Sequence, residues 1–416
     1  MNRTLTRRIA LSEKFDLFVG VDLGRTTNVA VIIDRRLKRY SRFKFTHSRK
    51  DYDKFVAWLK HDRPSILSPR VLVGMEPTND YWQWLVGYLE EAGIPYRLVN
   101  SFTVKKYREG TQLDYAKDDY RDARIISHLL TQGQFTETQL LPEPYAQMRQ
   151  YEQTHWQLSA AIRRQKTLLR QHAERLFPEL RQVFGDFTGA TASALLQNHA
   201  NPKAIAAFSW ETFESRVRQD LIGKRLMVKK LRLAYALASD SIGGYAGDAL
   251  QRLVQQHIAT LRHLHQQLSA VETELLACFH ILPTAPYLLS LGLGEVATAL
   301  IAAELGNLSQ FRHPKQLVKL AGIQPTPNQS GFYEREATPM SQKGRPRLRT
   351  YLFFGTMRLV RWDAAFKARK LAFVNRSQNP LKPIEAIGAL MNKLLHLTWA
   401  VCRNETAYSP ERFMAG

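Results

Sequence analysis

Residues 18–34, FVGVDLGRTTNVAVIID, decide how the first third of the chain folds. An apolar run, Phe18 to Val21, ends in Asp22 and Gly24, and a second apolar run, Val29 to Ile33, follows at once. The pattern reads as two strands joined by a tight turn, with Asp22 at the end of the first strand. Such a hairpin opens two different chemistries. It can grip the phosphates of a nucleotide, as in sugar-kinase and chaperone-type ATPases, or hold a metal-binding carboxylate at the centre of a nuclease. The hairpin alone does not choose between them.

Working outward, strands are predicted at 16–22, 28–34, 39–46, 70–75 and 95–99, and helices at 51–60, 79–92, 101–108 and 119–132. Three strands linked by short turns, then strands separated by helices, is the order of an α/β ribonuclease-H-like (RuvC-like) domain, expected over residues 1–140. Actin-like ATPases share that beginning, so fold class alone leaves the chemistry open. The ATPase reading further requires a second phosphate-binding hairpin later in the chain. The candidates, GDFTGA and SDSIGGYAGDA, lack flanking strand-like sequence, and that reading loses most of its support.

Acidic residues favour the metal. Glu76 ends the apolar strand VLVGME, as Asp22 ends the first. In KDDYRDARIISHLL, Asp119 and Asp122 stand three apart near a helix start, which brings both to one face. Hard divalent ions such as Mg²⁺ take oxygen ligands, and carboxylates grouped at sheet ends suit the clamping of a phosphodiester. Asp114 and Asp118 compete for the helix positions. Each acid also has a plain structural use, as a turn former or a helix-dipole partner.

The chain carries 59 Lys and Arg against 37 Asp and Glu, a net charge of +22. A field of that sign points to a polyanion, most commonly nucleic acid. No apolar run approaches the length of a membrane span, and the basic start lacks the apolar core of a secretion signal. Cys278 and Cys402 lie in apolar helical stretches with no metal-ligand spacing, so a cytoplasmic protein without disulfides is expected. Two basic concentrations are candidate backbone contacts. The first is RRLKRYSRFKFTHSRK, with Arg35, Arg36, Lys38, Arg39, Arg42 and Lys44, and the second is SQKGRPRLR, with Lys343, Arg345, Arg347 and Arg349. Tyr40, Phe43 and Phe45, interleaved in the first, serve either stacking or core.

Residues 141–280 read as a long helical, coiled-coil region. Leu250, Val254, Leu261, Leu264, Leu268, Val271 and Leu275 recur at three- and four-residue steps. Leu158, Ile162, Leu169 and Leu176 offer a partner seam, interrupted by Gln165 and His172. A looser insert with the basic run GKRLMVKKLR occupies 184–246. A mostly helical C-terminal domain is expected over 281–416. There, Gly292 and Gly294 in SLGLGEV precede an apolar helix, an arrangement suited to a phosphate or to a plain helix–helix turn. The loop AGIQPTPNQSGFY holds Ser330, which on its letters alone is turn chemistry.

Several stretches, in order and separation, resemble insertion-sequence transposases that join an N-terminal DEDD RuvC-like domain to a C-terminal domain bearing a serine. These are relatives of the Piv-type DNA invertases. The matching stretches are GVDLGRTTNVAVI, VLVGMEPT, KDDYRDARIISHLL, the segment from SLGLGEVATALIAAEL through PTPNQSG, SQKGRPRLRTYLF and the closing KLLHLTWAVCRNETAYSP. The resemblance implies that Asp22, Glu76, Asp119 and Asp122 form a Mg²⁺-binding set and that Ser330 is the nucleophile. It also implies DNA partners (element ends and target), a structured non-coding guide (bridge) RNA, a dimer or tetramer, and a nucleoid-associated place in a prokaryotic cytoplasm. Two other readings remain open at this point. One is a RuvC-like metal-dependent nuclease or junction resolvase without a covalent intermediate, and the other is a nucleic-acid-binding module that does not cut.

Overall fold

The computed structural model describes residues 3–61, 70–77, 80–111, 119–136, 140–221, 223–326, 329–330, 333–334 and 339–415. The chain divides into two compact units, Met1–Leu140 and Leu141–Gly416.

The first unit is mixed α/β. Helix α1 (Arg3–Ser12) precedes β1 (Leu17–Leu23), β2 (Thr27–Asp34) and β3 (Arg39–Thr46). Then come α2 (Arg49–His61), β4 (Val71–Met75), α3 (Tyr81–Glu91), β5 (Tyr96–Leu98), α4 (Ser101–Thr111) and α5 (Asp119–Thr131). The strands form one sheet in the order β3-β2-β1-β4-β5. β1, β2 and β3 are antiparallel neighbours, while β4 runs parallel to β1 and β5 parallel to β4.

Because side chains alternate across a strand, the sheet has two apolar faces. Leu17, Val19, Val21, Val73 and Met75 pack with α2 and α3, whereas Phe18, Leu72, Val29 and Val31 pack with Ala123, Ile126 and Leu130 of α5. A central strand buried on both sides reads as a continuous apolar run, as β1 does. Helix α5 comes so close to β1 that a methyl group on Gly20 would lie 1.8 Å from the Ala123 carbonyl oxygen. At Gly74, the paired position on β4, an added carbon would meet the Leu130 side chain at 2.6 Å. Only glycine admits this approach.

The second unit is almost wholly helical. Helix α6 (Tyr145–Leu176) is followed by α7 to α11 (Leu180–Val183, Ala190–Asn198, Pro202–Ala206, Trp210–Gln219 and Val228–Ala238). Next are α12 (Gly247–His280), α13 (Ala285–Leu289), α14 (Glu295–Leu305) and α15 (Lys315–Ala321). A two-residue hairpin, β6 (Gln329–Ser330) with β7 (Tyr333–Glu334), leads to α16 (Pro346–Trp362), α17 (Ala364–Asn375), α18 (Pro383–Arg403) and α19 (Pro410–Ala415).

Helices α6 and α12 pack antiparallel: Gln147 meets Cys278, His155 meets Glu272, and His172 meets His257. Leu250, Val254, Ile258, Leu261 and Leu275 of α12 are buried. Leu264, Leu268 and Val271 are only half-buried. On α6, Ile162, Leu169 and Leu176 are buried and Leu158 is half-buried. The two polar interruptions have a cause. Gln165 donates to Nδ1 of His257 at 2.6 Å, and Nε2 of His257 meets Nδ1 of His172 at 2.8 Å, so the polar residues satisfy one another across the seam. α7 to α11 build an apolar core against one half of this pair, and α13 to α19 build another against Met148 and Leu275–Phe279. Cys278 and Cys402 are free buried thiols. Among the described residues no helix is long and apolar enough to cross a membrane.

Candidate active site and nucleic-acid interface

The strand register locates the predicted acids. Val21 pairs with Met75, so Asp22 and Glu76 come next, side by side, at the carboxyl ends of adjacent parallel strands. Alternation from Phe18 through Gly20 sends Asp22 to the α5 face, and from Leu72 through Gly74 it sends Glu76 to the same face. Helix α5 crosses at Gly20 through Ala123, and its first turn, holding Asp119 and Asp122, lies just beyond that crossing. Asp119 is exposed and Asp122 is buried. Asp114 and Asp118 lie outside the described residues.

Electrostatics tie these groups together. Burial pushes the Glu76 carboxyl above its ordinary range; a hydrogen bond with Ser101 opposes that, the Asp122 charge adds to it, and the Arg108 charge opposes it again. Nη2 of Arg108 lies 2.7 Å from Oδ2 of Asp122. Sequence reading missed Arg108 and Ser101, although α4 was expected and a basic residue in its last turn was visible. The acids offer hard oxygen donors, the right chemistry for Mg²⁺. Among the described residues, however, no three Asp, Glu, His or Cys side chains are gathered closely enough to hold one ion.

The first basic stretch divides. Arg35, Arg36, Lys38 and Arg39 surround the β2–β3 turn, at the end of the sheet opposite Asp22 and Glu76. There Arg35 donates to the carbonyls of Ser12 and Phe15 at 2.6 and 3.1 Å. Arg42 and Lys44 differ. Their partners Val31 and Val29 pair in turn with Gly20 and Asp22, which places both cations in line with the acids on the α5 face of the edge strand. Both are exposed, and Arg42 stacks over Tyr120 at 4.8 Å. Phe43 and Phe45 turn the other way and pack with Phe55 and Trp58, so they are core rather than stacking platforms.

The second basic stretch requires a correction. Lys343 is exposed, but Arg345, Arg347 and Arg349 are directed inward. Glu152 of α6 and Glu304 of α14 are fully buried, and Arg345, Arg347 and Arg149 are their partners. Arg347 Nε lies 3.3 Å from Glu304 and its Nη1 3.5 Å from Glu152; Arg149 lies 2.9 Å from Glu304; and Arg345 donates to the Glu304 carbonyl. Tyr351 donates to Glu152 at 2.9 Å, and Arg349 donates to the Ala321 carbonyl. Burial, then the Glu304 charge, pushes the Glu152 carboxyl up to about 7. Burial likewise pulls Arg345 down to about 10. A local basic run cannot disclose two acids that lie far away in sequence.

These contacts anchor the stem of the Ser330 loop. Thr326, Ser341 and Gln342 donate backbone bonds to Pro339, Gln324 and Gly322 at 2.9 Å each. Ser330 belongs to the β6 strand, but its side chain lies outside the described residues. Gly292 and Gly294 take φ of +73° and +87°, the left-handed region that favours glycine. The exposed Arg358 donates to the Gly292 carbonyl at 3.3 Å, and Glu295 at the start of α14 pairs with His280 at 3.1 Å.

Comparison with known proteins agrees with both ends of the chain. Residues 19–178 match the DEDD transposase domain of the IS110 group, and residues 288–370 match the transposase IS116/IS110/IS902 family. The chain belongs to the IS110 family of transposases. The transposase is 24% identical over 345 residues to a Pseudomonas aeruginosa protein named a probable family 20 transposase, covering 82% of this chain and 87% of that one. It is 22% identical over 232 residues to the y4uE protein of Sinorhizobium fredii, named as a transposase, covering 55% of this chain and 61% of that one. The N-terminal family match takes in Asp22, Glu76, Asp119 and Asp122, and the C-terminal one takes in Ser330, Arg345, Arg347 and Arg349.

Proposed function

We propose that this transposase cuts and rejoins the DNA of an insertion sequence through a phosphoserine intermediate with Mg²⁺ assistance. The N-terminal domain, 1–140, is read as ribonuclease-H-like; 141–280 is a helical coiled-coil region and 281–416 the serine-bearing domain. The observation that carries the reading is the meeting of Asp22 and Glu76 at neighbouring strand ends with the acidic first turn of α5, in a chain whose two family matches stand in the transposase order.

In this reading Asp22, Glu76, Asp119 and Asp122 would have to draw together to hold the ion, which would supply charge neutralisation at the phosphate oxygens. The upward push on Glu76 has a direct meaning here: a carboxylate crowded by burial and by Asp122 gains most from a cation. Arg108 occupies Asp122 meanwhile. Arg42 and Lys44 steady the DNA backbone beside the acids. Ser330 Oγ attacks phosphorus, an Oγ–P bond forms as a phosphodiester P–O bond breaks, and the freed strand end leaves as a hydroxyl. Reversal on a second end rejoins DNA without ATP, because the ester bond is conserved. Gly292, Gly294 and Lys343 contribute backbone contacts. A structured guide RNA supplies sequence choice by pairing, and a dimer or tetramer holds two duplexes together.

Trapping the full-length protein on element-end DNA tests the nucleophile. A covalent adduct lost in Ser330→Ala is expected; an adduct that survives, or hydrolysed ends with no adduct, overturns the covalent step. Full cleavage in the presence of a chelator removes the metal from the reading.

A further inference from the structure

On the face of the sheet opposite α5, an aromatic pocket opens at the same end as the acids. Its floor is His47, the residue after β3. Nε2 of His47 donates to the Gly24 carbonyl at 2.9 Å, so the histidine is fixed to the turn that follows Asp22. Nδ1 accepts from the Tyr52 hydroxyl at 2.9 Å. Trp84 stands at right angles to the imidazole, with ring centres 5.2 Å apart, and Tyr81 lies 5.4 Å away. Tyr88 closes the far side against Tyr52. The cavity among them holds about 330 Å³.

Core packing accounts for Tyr52 and for part of Tyr88, but not for Trp84. Trp84 is 55% exposed, although its neighbours Leu85 and Val86 are fully buried. A large indole kept at the surface of a pocket has an open π-face. The histidine below it is oriented by two hydrogen bonds, as a preorganised site requires. Exposed Arg49 lines the pocket, lies over the Tyr88 ring at 5.8 Å and pairs with Glu91, another lining residue, at 3.7 Å. Cationic and aromatic groups interleaved in this way are the chemistry of unstacked bases on single-stranded nucleic acid.

We infer that the pocket formed by His47, Tyr52, Trp84 and Tyr88 takes one unpaired nucleobase of the DNA strand that passes the acidic sheet end. The base stacks on Trp84, and its edge meets Gln83 and the Arg49 side. This inference rests on the reading that the chain acts on DNA at Asp22 and Glu76. Through Gly24, the pocket and the acids share one turn, so a strand whose phosphate lies beside the acids can place a neighbouring base on the opposite side of the sheet. Extracting a base costs least where pairing is already broken, as at a cut site.

The test measures binding of the full-length protein to short oligo-thymidylate and to a duplex of matched length, without cleavage. Trp84→Ala should weaken single-strand binding by roughly 10- to 100-fold, leave duplex binding within about twofold, and be rescued largely by Trp84→Phe. A 5-iododeoxyuridine oligonucleotide should photo-crosslink to the α3 segment, and Trp84→Ala should remove that crosslink. Equal losses on single strand and duplex, no loss on either, or a crosslink elsewhere overturns the pocket. Matched oligo-uridylate that binds more tightly than oligo-thymidylate, with the same Trp84 dependence, overturns its assignment to DNA. Because binding is read without cleavage, failure here leaves the Ser330 and metal tests standing on their own.

Discussion

At the carboxyl ends of the central strands, Arg108 lies against Asp122, whose charge also reaches Glu76. In the helical unit, Glu152 and Glu304 are surrounded by Arg149, Arg345 and Arg347. Both groups have a carboxyl driven upward by burial and by a second carboxylate and held back by arginine, yet the proportions differ: Arg108 stands beside the strand-end acids, whereas Arg149, Arg345 and Arg347 surround Glu152 and Glu304. The strand-end group leaves its acids at the carboxyl ends of β1 and β4, with Asp119 exposed. The helical group encloses its negative charge beneath arginines and a tyrosine. The first arrangement suits a site and the second suits a joint, since a buried pair fixes geometry more than it adds stability.

The largest expected effect on activity breaks the strand-end group. Asp22→Asn or Glu76→Gln should lower strand cleavage by about 10²–10³-fold while melting temperature and duplex binding stay near those of the unaltered protein. A variant that cuts normally would show that the acids serve the fold instead. The largest expected effect on stability falls on the joint. Glu304→Ala leaves Arg345 and Arg347 without their buried carboxylate and should cost about 3–5 kcal/mol of stability, read as a fall in denaturation midpoint. Glu304→Gln, which keeps the shape, should cost less. A Glu304→Ala protein as stable as the original would place the two carboxylate groups in the same class.

The smallest effect concerns pH. Burial, then the neighbouring His172, holds His257 below the usual histidine value. Its folded form therefore takes a proton less readily than its unfolded form. Stability from this group is present above about pH 6.5 and is lost as acid is added through that value. Glu152 acts in reverse: raised to about 7, it protonates first in the folded state, so acidification there favours folding. Melting temperature measured from about pH 7.5 to about pH 5.5 should fall less steeply in His257→Gln and more steeply in Glu152→Gln. Equal slopes in all three proteins would mean that neither group senses the change.

Legibility in the sequence followed locality. The strands, the strand-end acids and the α5 pair declare themselves because each rests on a short apolar run and the residue that ends it. The heptad seam was readable in outline, and its interruptions at Gln165 and His172 were visible without their cause, since His257 is far along the chain. Arg345 and Arg347 looked like surface charge because their partners come from α6 and α14. Arg108 and the His47–Trp84 pocket escaped for the same reason. Each is a relation between segments, and periodicity within a segment carries no trace of it.

The bare contact at Gly20 has a mechanical consequence. Helix α5 rests there on peptide groups, without the cushion of side chains that separates most helices from a sheet. Side chains can change rotamer and let a helix drift; a peptide plane pressed against a strand cannot. The spacing between the strand-end acids and those of α5 is therefore set by backbone stiffness, and it behaves as a fixed gauge that exchanges of apolar residues elsewhere in the core leave unchanged.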